Sequence, residues 1–496
     1  MDTGLIPDEL LLVQISPQHK GGSRADPAQF RPVALTSHLI KTFERVVRRF
    51  LVRHLEETGV FPDGQHGSRA QRSTLTQLLA HWDSVLDDIE ESRGSDTIYL
   101  DFSKGYDKCE TGVLLHKLKN AGVTGKVGMW IAAFLDSKHR QQAVVVDGVF
   151  SALSPVISGV PQGTVIAPAL FLLMISDIAR GVSPGTRVSS FVDDTRVKRA
   201  INDPDKDCTA LQDDLQAIYN WAEDVGLEFN SKKFECLRAW PGKDTPAQPY
   251  LSPAGDPIEE KENLRDLGVQ MSKDCSFTIH IDNVTTNVSK MVGWVLRTFR
   301  SRSKLVMMTC WNSMLQSRLD YCSQLWCPSD QASITKLEDV CRHYTSHIEG
   351  MEGLNYWERL ESLHMYSQER RRERYLIIFI WKIAMGMVKG YKDIQFIFSQ
   401  RRGWTALPKA VNTSAPASVR RARESSLAVK GVALFNLCPR GLRDMASDHH
   451  DRFKENLDSW LFEIPDQPTI PGCQRAATSN SLLDQVPMLM QQFENR

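Results

Sequence analysis

The sequence predicts an α+β fold: a mostly antiparallel sheet covered by helices, then a largely helical second half. Three observations predict it. Short apolar runs closed by acid or turn residues, such as "DTIYLDF" (96–102) and "RVSSFVDDTRV" (187–197), read as strands. "AVVVDGVFSAL" (143–153) reads as a hairpin, with Asp147-Gly148 supplying the φ > 0 positions of a two-residue turn. Beyond about Gly268 the pattern becomes helical, culminating in "NYWERLESLHMYSQERRRERYLIIFIWKIAMG" (355–386).

Taken in order, "ELLLVQISP" (9–17) is a strand entering the Gly-, Asp- and Pro-marked loop "QHKGGSRADPAQFRP" (18–32). From Ser37 to Leu55 the pattern is helical, with Leu39, Phe43, Val46, Val47, Phe50 and Leu51 at helical spacing. A second helix runs from Ser73, a plausible N-cap, to Ile89, after "GQHGSRAQR". "GVLLHKLKNAGV" is an amphipathic helix ended by Gly122. "SGVPQGTVIAPALFLLMISDI" begins as a Gly/Pro loop and becomes a helix. In "CTALQDDLQAIYNWAEDVGLEFN", Leu211, Leu215, Ile218, Trp221 and Val225 share one helix face, and Gly226 ends it. Pro, Ser, Ala and Arg predominate over 401–425, which reads as a linker, and the tail after Ile464 reads as poorly ordered. Arg370, Arg371, Arg372 and Arg374 are interleaved with Glu369 and Glu373 and read as a solvated helix face. There is no internal repeat.

Composition narrows the field. The 60 basic and 60 acidic residues cancel, so a nucleic-acid surface must be local rather than global. The 10 cysteines are too sparse for a disulfide scaffold in 496 residues, and they lack the paired spacing of structural zinc. The longest apolar runs fall short of the roughly 20 residues of a membrane span, and the N-terminus lacks a signal pattern. The expectation is a soluble intracellular protein without a membrane, of unspecified compartment.

The chemistry concentrates in two places. Asp101 closes one apolar run, and Asp193-Asp194 follow another, "SSFV". A single Asp there is an ordinary helix cap, and a double Asp is an ordinary turn. If the strands are neighbours, however, three carboxylates meet at one sheet edge, and that cluster needs a cation. With no His or Cys nearby, oxygen-only ligation points to Mg²⁺, with Mn²⁺ the alternative. Two such ions serve in-line phosphoryl displacement.

"YLDFSKGYDK", "SGVPQGT", "FVDD" and "LEFNSKKFECL", in this order, resemble motifs A to D of reverse transcriptases, above all those of non-LTR (LINE-type, jockey-like) retrotransposons. "QFRPVALTSHLIKTFERVV" and "QHGSRAQRST" resemble the finger motifs, and the similarity extends over about residues 10–390. The resemblance implies a right hand: fingers and palm over 1–272, a helical thumb and following region over 273–400, and a linker-like, partly disordered extension over 401–496. It implies two metal ions held by Asp101, Asp193, Asp194 and the carbonyl of Phe102. Tyr106 would be a steric gate under the sugar, and Gln162 and Gly163 would contact the incoming nucleotide. Arg31 and Arg69 would contact triphosphate or template. Lys233, or its neighbour Lys232, would protonate the pyrophosphate. Partners would be an RNA template, a DNA primer with its RNA–DNA duplex, and dNTPs; protein partners are not indicated.

Ser68, Ile166-Ala167, Ser176 and "KGYDKCETG" depart from the usual motifs, and no segment is expected to hold the endonuclease of such elements. The alternative is a degenerate copy that keeps fold and nucleic-acid binding with weak or no catalysis. A third, an unrelated metal-dependent phosphotransferase, has no reason to carry the finger segments.

Overall fold

Ser37 starts the first long helix, His38–Glu57, by accepting the Ile40 N–H at 3.3 Å. Ser73 does the same for Thr74–Glu91, accepting the Thr76 N–H at 3.2 Å. The computed structural model describes residues 6–91, 94–138, 140–246, 248–328, 330–468 and 480–494. The first helix buries Ile40, Val47, Leu51 and Leu55, whereas Leu39, Phe43, Val46 and Phe50 of the expected stripe are exposed. The sequence offers two apolar stripes at helical spacing, and tertiary packing uses one.

In chain order the strands are β1 (Leu12–His19), β2 (Phe30–Leu35), β3 (Gly94–Leu100), β4 (Gln141–Val146), β5 (Val149–Phe150), β6 (Ser154–Pro155) and β7 (Thr186–Phe191). There follow β8 (Asp194–Ile201), β9 (Glu235–Ala239), β10 (Glu259–Glu260), β11 (Asn263–Asp266), β12 (Val269–Ser272), β13 (Gln395–Ser399) and β14 (Gly403–Leu407). One sheet is ordered β2-β1-β4-β5, with β6 also on β4; the central sheet is β10-β9-β3-β8-β7. The central pairings β9–β3, β3–β8 and β8–β7 are all antiparallel, as the alternation of the sequence implies. The β4–β5 turn has Asp147 at φ 50° and Gly148 at φ 81°, the conformation expected of that dipeptide.

Two cores flank the central sheet. One joins Ile98 and Val197 to the helices Thr111–Asn120, Ala167–Met174 and Pro204–Asp224. The other joins Leu78, Trp82 and Leu86 of the Thr74–Glu91 helix to Trp326, Trp381 and Phe435 of the C-terminal half. The expected linker over 401–425 is therefore built into the fold. It carries β14 and the helix Ala417–Glu424, whose Arg423 is fully buried against Asp83 (3.3 Å), Asp87 (2.7 Å) and Glu90 (3.0 Å). A segment poor in apolar residues is held here by charge supplied from more than three hundred residues upstream.

The arginine cluster also differs from its reading as a solvated face. Arg370 is fully buried and donates to the carbonyls of Leu461, Ile464, Pro465 and Asn480 and to Gln485 Oε1. Arg371 pairs with Asp320 and Arg374 with Asp458. Arg370, buried among these acceptors, gathers the chain end. Part of the expected disordered tail, from 480, is accordingly packed and forms the helix Leu482–Glu494, while 469–479 lie outside the described residues. Among the described residues no helix is long and apolar enough to cross a membrane, and the nine cysteines are free thiols.

Candidate active site

β3 ends at Leu100, which pairs with Thr195. The next residue, Asp101, therefore falls beside Asp194 at the start of β8, and Asp193 lies in the two-residue β7–β8 turn. Asp101, Asp193 and Asp194 line a single cleft of ≈ 1310 Å³. Phe102, Tyr106, Gln162, Arg31 and Lys233 line the same cleft.

The turn is strained and clamped. Val192 has φ 61°, unusual for a β-branched residue. Its N–H donates to Gln65 Oε1 at 2.9 Å, and Gln65 Nε2 donates to its carbonyl at 3.3 Å. The same Oε1 accepts the Gly67 N–H at 2.8 Å. On either side, Ser190 N–H donates to the Gly64 carbonyl and His66 N–H to the Ser190 carbonyl, each at 2.9 Å. The approach requires glycine: a Cβ on Gly67 would lie 2.5 Å from the Val192 nitrogen. Sequence reasoning missed Gln65. The two glycines bracketing it in "GQHG" were the available signal.

Burial pushes both acids of the turn upward. For Asp193 the nearby Asp101 charge adds to burial, while Arg31 and Lys233 oppose it. Asp194 rises to about 6, from burial first and then Asp193. Asp101 instead accepts from Lys233 Nζ at 2.8 Å. Among the described residues no three acidic, histidine or cysteine side chains converge as a preformed metal site. Of the two candidate lysines, Lys233 lines the cleft, and Lys232 is exposed outside it.

Phe102 is buried, its ring stacked on Phe229 at 4.6 Å, and the Asn230 N–H donates to the Asp101 carbonyl at 2.8 Å. The Tyr106 ring lies flat on Phe171, with centroids 4.4 Å apart and planes at 12°. Burial raises its phenol far above the ordinary value, so it stays neutral. Gln162 Nε2 donates to Asp107 Oδ1 at 3.1 Å, and the Gln162 carbonyl accepts the Ala34 N–H at 2.6 Å.

Two expected contacts fall elsewhere. Gly163 does not line the cleft; its φ of 105° and a Cβ that would lie 2.7 Å from the Ala34 carbonyl tie it to packing against β2. Arg69 is buried, forks onto Glu56 at 2.8 and 2.5 Å and donates to the Pro62 carbonyl, so its charge is consumed inside the fingers. Glu44, also missed, is fully buried and accepts the Val165 and Ile166 N–H groups at 2.5 and 3.0 Å. From the first long helix it ties down the two residues that lead into the Ala167–Met174 helix, which gives "TFERV" a physical reason.

The family model "Reverse transcriptase (RNA-dependent DNA polymerase)" matches residues 18–271, half of the chain. The chain belongs to the reverse transcriptase family. Among curated relatives, the RNA-directed DNA polymerase from mobile element jockey of Drosophila melanogaster is 26% identical over 349 residues, covering 68% of this chain and 37% of that protein. The probable RNA-directed DNA polymerase from transposon X-element, also of Drosophila melanogaster, is 25% identical over 348 residues with the same coverage. This reverse transcriptase thus spans little more than a third of the length of those relatives, and its kinship is with non-LTR elements. A solved apo telomerase from Candida Tropicalis aligns at TM-score 0.42 and 10% identity, over 92% of this chain and 70% of that one.

Proposed function

We propose that this chain is the RNA-directed DNA polymerase part of a non-LTR retrotransposon, joining dNTPs to a primer 3′-hydroxyl on an RNA template. The observation that carries the reading is the cleft itself: three carboxylates from two strands, with one ammonium of the chain's own in contact. An all-oxygen donor set with two acids pushed upward by burial suits hard divalent cations, two Mg²⁺ or Mn²⁺. Asp101, Asp193 and Asp194 would hold them, with the Phe102 carbonyl as a further ligand. When bound, such ions acidify the 3′-hydroxyl and neutralise the triphosphate.

The protein's own groups do the rest. Gln65 holds the Asp193 turn, so the carboxylates do not have to reorganise during transfer. Tyr106, fixed by Phe171, presents its ring to the sugar, where a 2′-hydroxyl would clash. Lys233, at the cleft wall and paired with Asp101, would carry a proton to the pyrophosphate. Arg31, exposed on β2 at the cleft wall, meets the triphosphate or template by charge-assisted hydrogen bonds. Gln162 orients the incoming nucleotide.

The second reading, a copy that keeps fold and nucleic-acid binding without catalysis, draws on the Lys233–Asp101 pair, which occupies a ligand the reaction needs. Primer extension on poly(rA)/oligo(dT) with Mg²⁺ separates the two. The expected result is incorporation by the unmodified chain and none by Asp193→Ala. Folded protein that incorporates no more than that variant overturns the polymerase reading in favour of the second.

A further inference from the structure

Arg140, the residue before β4, is 2% exposed, yet among the described residues no carboxylate pairs with it. Its side-chain hydrogen bond is to the Gly159 carbonyl, at 3.1 Å. Its own carbonyl accepts the Val156 N–H at 3.1 Å, so the residue is fixed at both ends. Burial alone, with no opposing charge, pulls its pKa down to about 10. A buried guanidinium left without an anion is costly, and the other buried arginines of this chain meet either carboxylates or several acceptors: Arg372, also without an anion, donates to the Gln368 and Leu319 carbonyls, where Arg140 has the Gly159 carbonyl. Arg196 pairs with Asp266 and Arg423 with three acids, while Arg370 spreads its donors over five acceptors.

Arg140 lines a cavity of ≈ 340 Å³ between β1, β4 and the 155–162 segment. The walls are mostly apolar, from Val13, Ile15, Val144 and Val156. Asp107, the acid of that cavity, is engaged by Gln162 Nε2. The volume sits at the small end of ligand sites. Ile15, Pro32, Asp107, Val144 and Gln162 line both this cavity and the polymerase cleft, so the two lie side by side.

We infer that this side cavity takes one nucleotide of a single strand leaving the cleft, its backbone phosphate on the Arg140 guanidinium and its base or sugar against the apolar walls. The inference rests on the polymerase reading and adds to it a particular phosphate and the residue that receives it. A guanidinium meets phosphate with paired N–H donors, and desolvation makes each such bond stronger than on an open surface. The same chemistry would accept free phosphate or a free nucleotide. The position directly beside the cleft argues for the strand.

The test measures equilibrium binding by the full chain, so it does not depend on turnover. Labelled RNA–DNA primer–templates, blunt or with a single-stranded template overhang, are titrated against the unmodified chain, Arg140→Met and Arg140→Lys. A neutral methylphosphonate linkage is then walked through the overhang. The expected result is about tenfold weaker binding of the overhang substrate by Arg140→Met, unchanged binding of the blunt one, and partial recovery with Arg140→Lys. For the unmodified chain one linkage position alone should weaken binding by a similar factor, and that position should be silent in Arg140→Met.

Equal losses on blunt and overhang substrates, or no position-specific loss in the walk, would overturn the inference while leaving the polymerase reading intact. So would a variant whose dNTP KM or affinity for inorganic phosphate changes while overhang affinity does not, which would assign the cavity to a free anion. If Arg140→Met does not fold, the walk on the unmodified chain decides alone. Failure of the unmodified chain to bind any primer–template overturns the polymerase reading itself, and this inference with it.

Discussion

Two acidic clusters in this chain use the same residue types and answer their charge differently. Asp83, Asp87 and Glu90, on the Thr74–Glu91 helix, are met by Arg423, and Asp87 also by Lys409 at 2.6 Å. Asp101, Asp193 and Asp194 share an open cleft, in which Lys233 pairs with Asp101. The first cluster is closed by the chain itself and works as a fastener between segments far apart in sequence. In the second, Asp193 and Asp194 have no ion-pair partner among the described residues and burial pushes both upward, which is the condition for an outside cation to bind. The number of acids is the same in both; the provision of cations separates architecture from chemistry.

The largest effect expected from breaking this contrast is on catalysis. Asp193→Asn should lower primer extension by about 10³-fold or more, since the carboxylate is a ligand in the proposed chemistry. The folded chain should be no less stable, because a buried charge facing Asp101 is removed. Extension kinetics with a parallel melting curve check both halves. Arg423→Met should do the opposite. Stripping the cation from Asp83, Asp87 and Glu90 should destabilise the chain by about 3–5 kcal/mol in denaturant titration, without any direct change to the cleft carboxylates. A loss under about 1 kcal/mol would contradict the fastener reading.

A smaller effect sharpens the active-site half. Gln65→Leu removes both hydrogen bonds to Val192 and should lower kcat about tenfold, with the dNTP KM little changed. In a Val192→Asn background the loss should shrink, because Asn accepts positive φ more readily than a β-branched residue. Additive losses in the double variant would show that the clamp and the strain are unrelated.

The smallest expected effect is a pH dependence in the fastener. Burial pushes Asp83 up to about 6, against the opposing influence of Tyr391 and Arg423. A carboxyl raised in the folded state binds its proton more tightly there than in the unfolded chain. Its contribution is therefore full below about pH 4 and is lost as pH rises through 6. The stability difference between the unmodified chain and Asp83→Asn should fall by an amount on the order of 1 kcal/mol across that window. A flat difference would place the titration elsewhere.

The palm was the most readable part of the sequence. "DTIYLDF" and "SSFVDDTRV" carry strand pattern and carboxylate in the same few residues, so local reading gives both element and candidate ligand. The Asp147-Gly148 turn was equally local. Gln65 was not legible, because its partner lies 127 residues away and nothing in "GQHG" states which backbone it will meet. Arg69 and Arg370 misled for one reason: a guanidinium spent on Glu56 or on main-chain carbonyls is spelled the same as one waiting for phosphate or one turned to solvent. The segment 401–425 failed because composition measures apolar content, and what holds this segment is a three-acid clasp assembled from another helix.

The Arg370 knot has a practical reach. Anyone shortening this protein to a tidier polymerase fragment would be tempted to stop near Ile464, where the sequence turns polar. Such a cut would remove Pro465, Asn480 and Gln485, three of the five acceptors around a guanidinium that the whole chain buries completely. The shortened protein should come out of the cell insoluble or readily digested, even though every motif of the hand is intact.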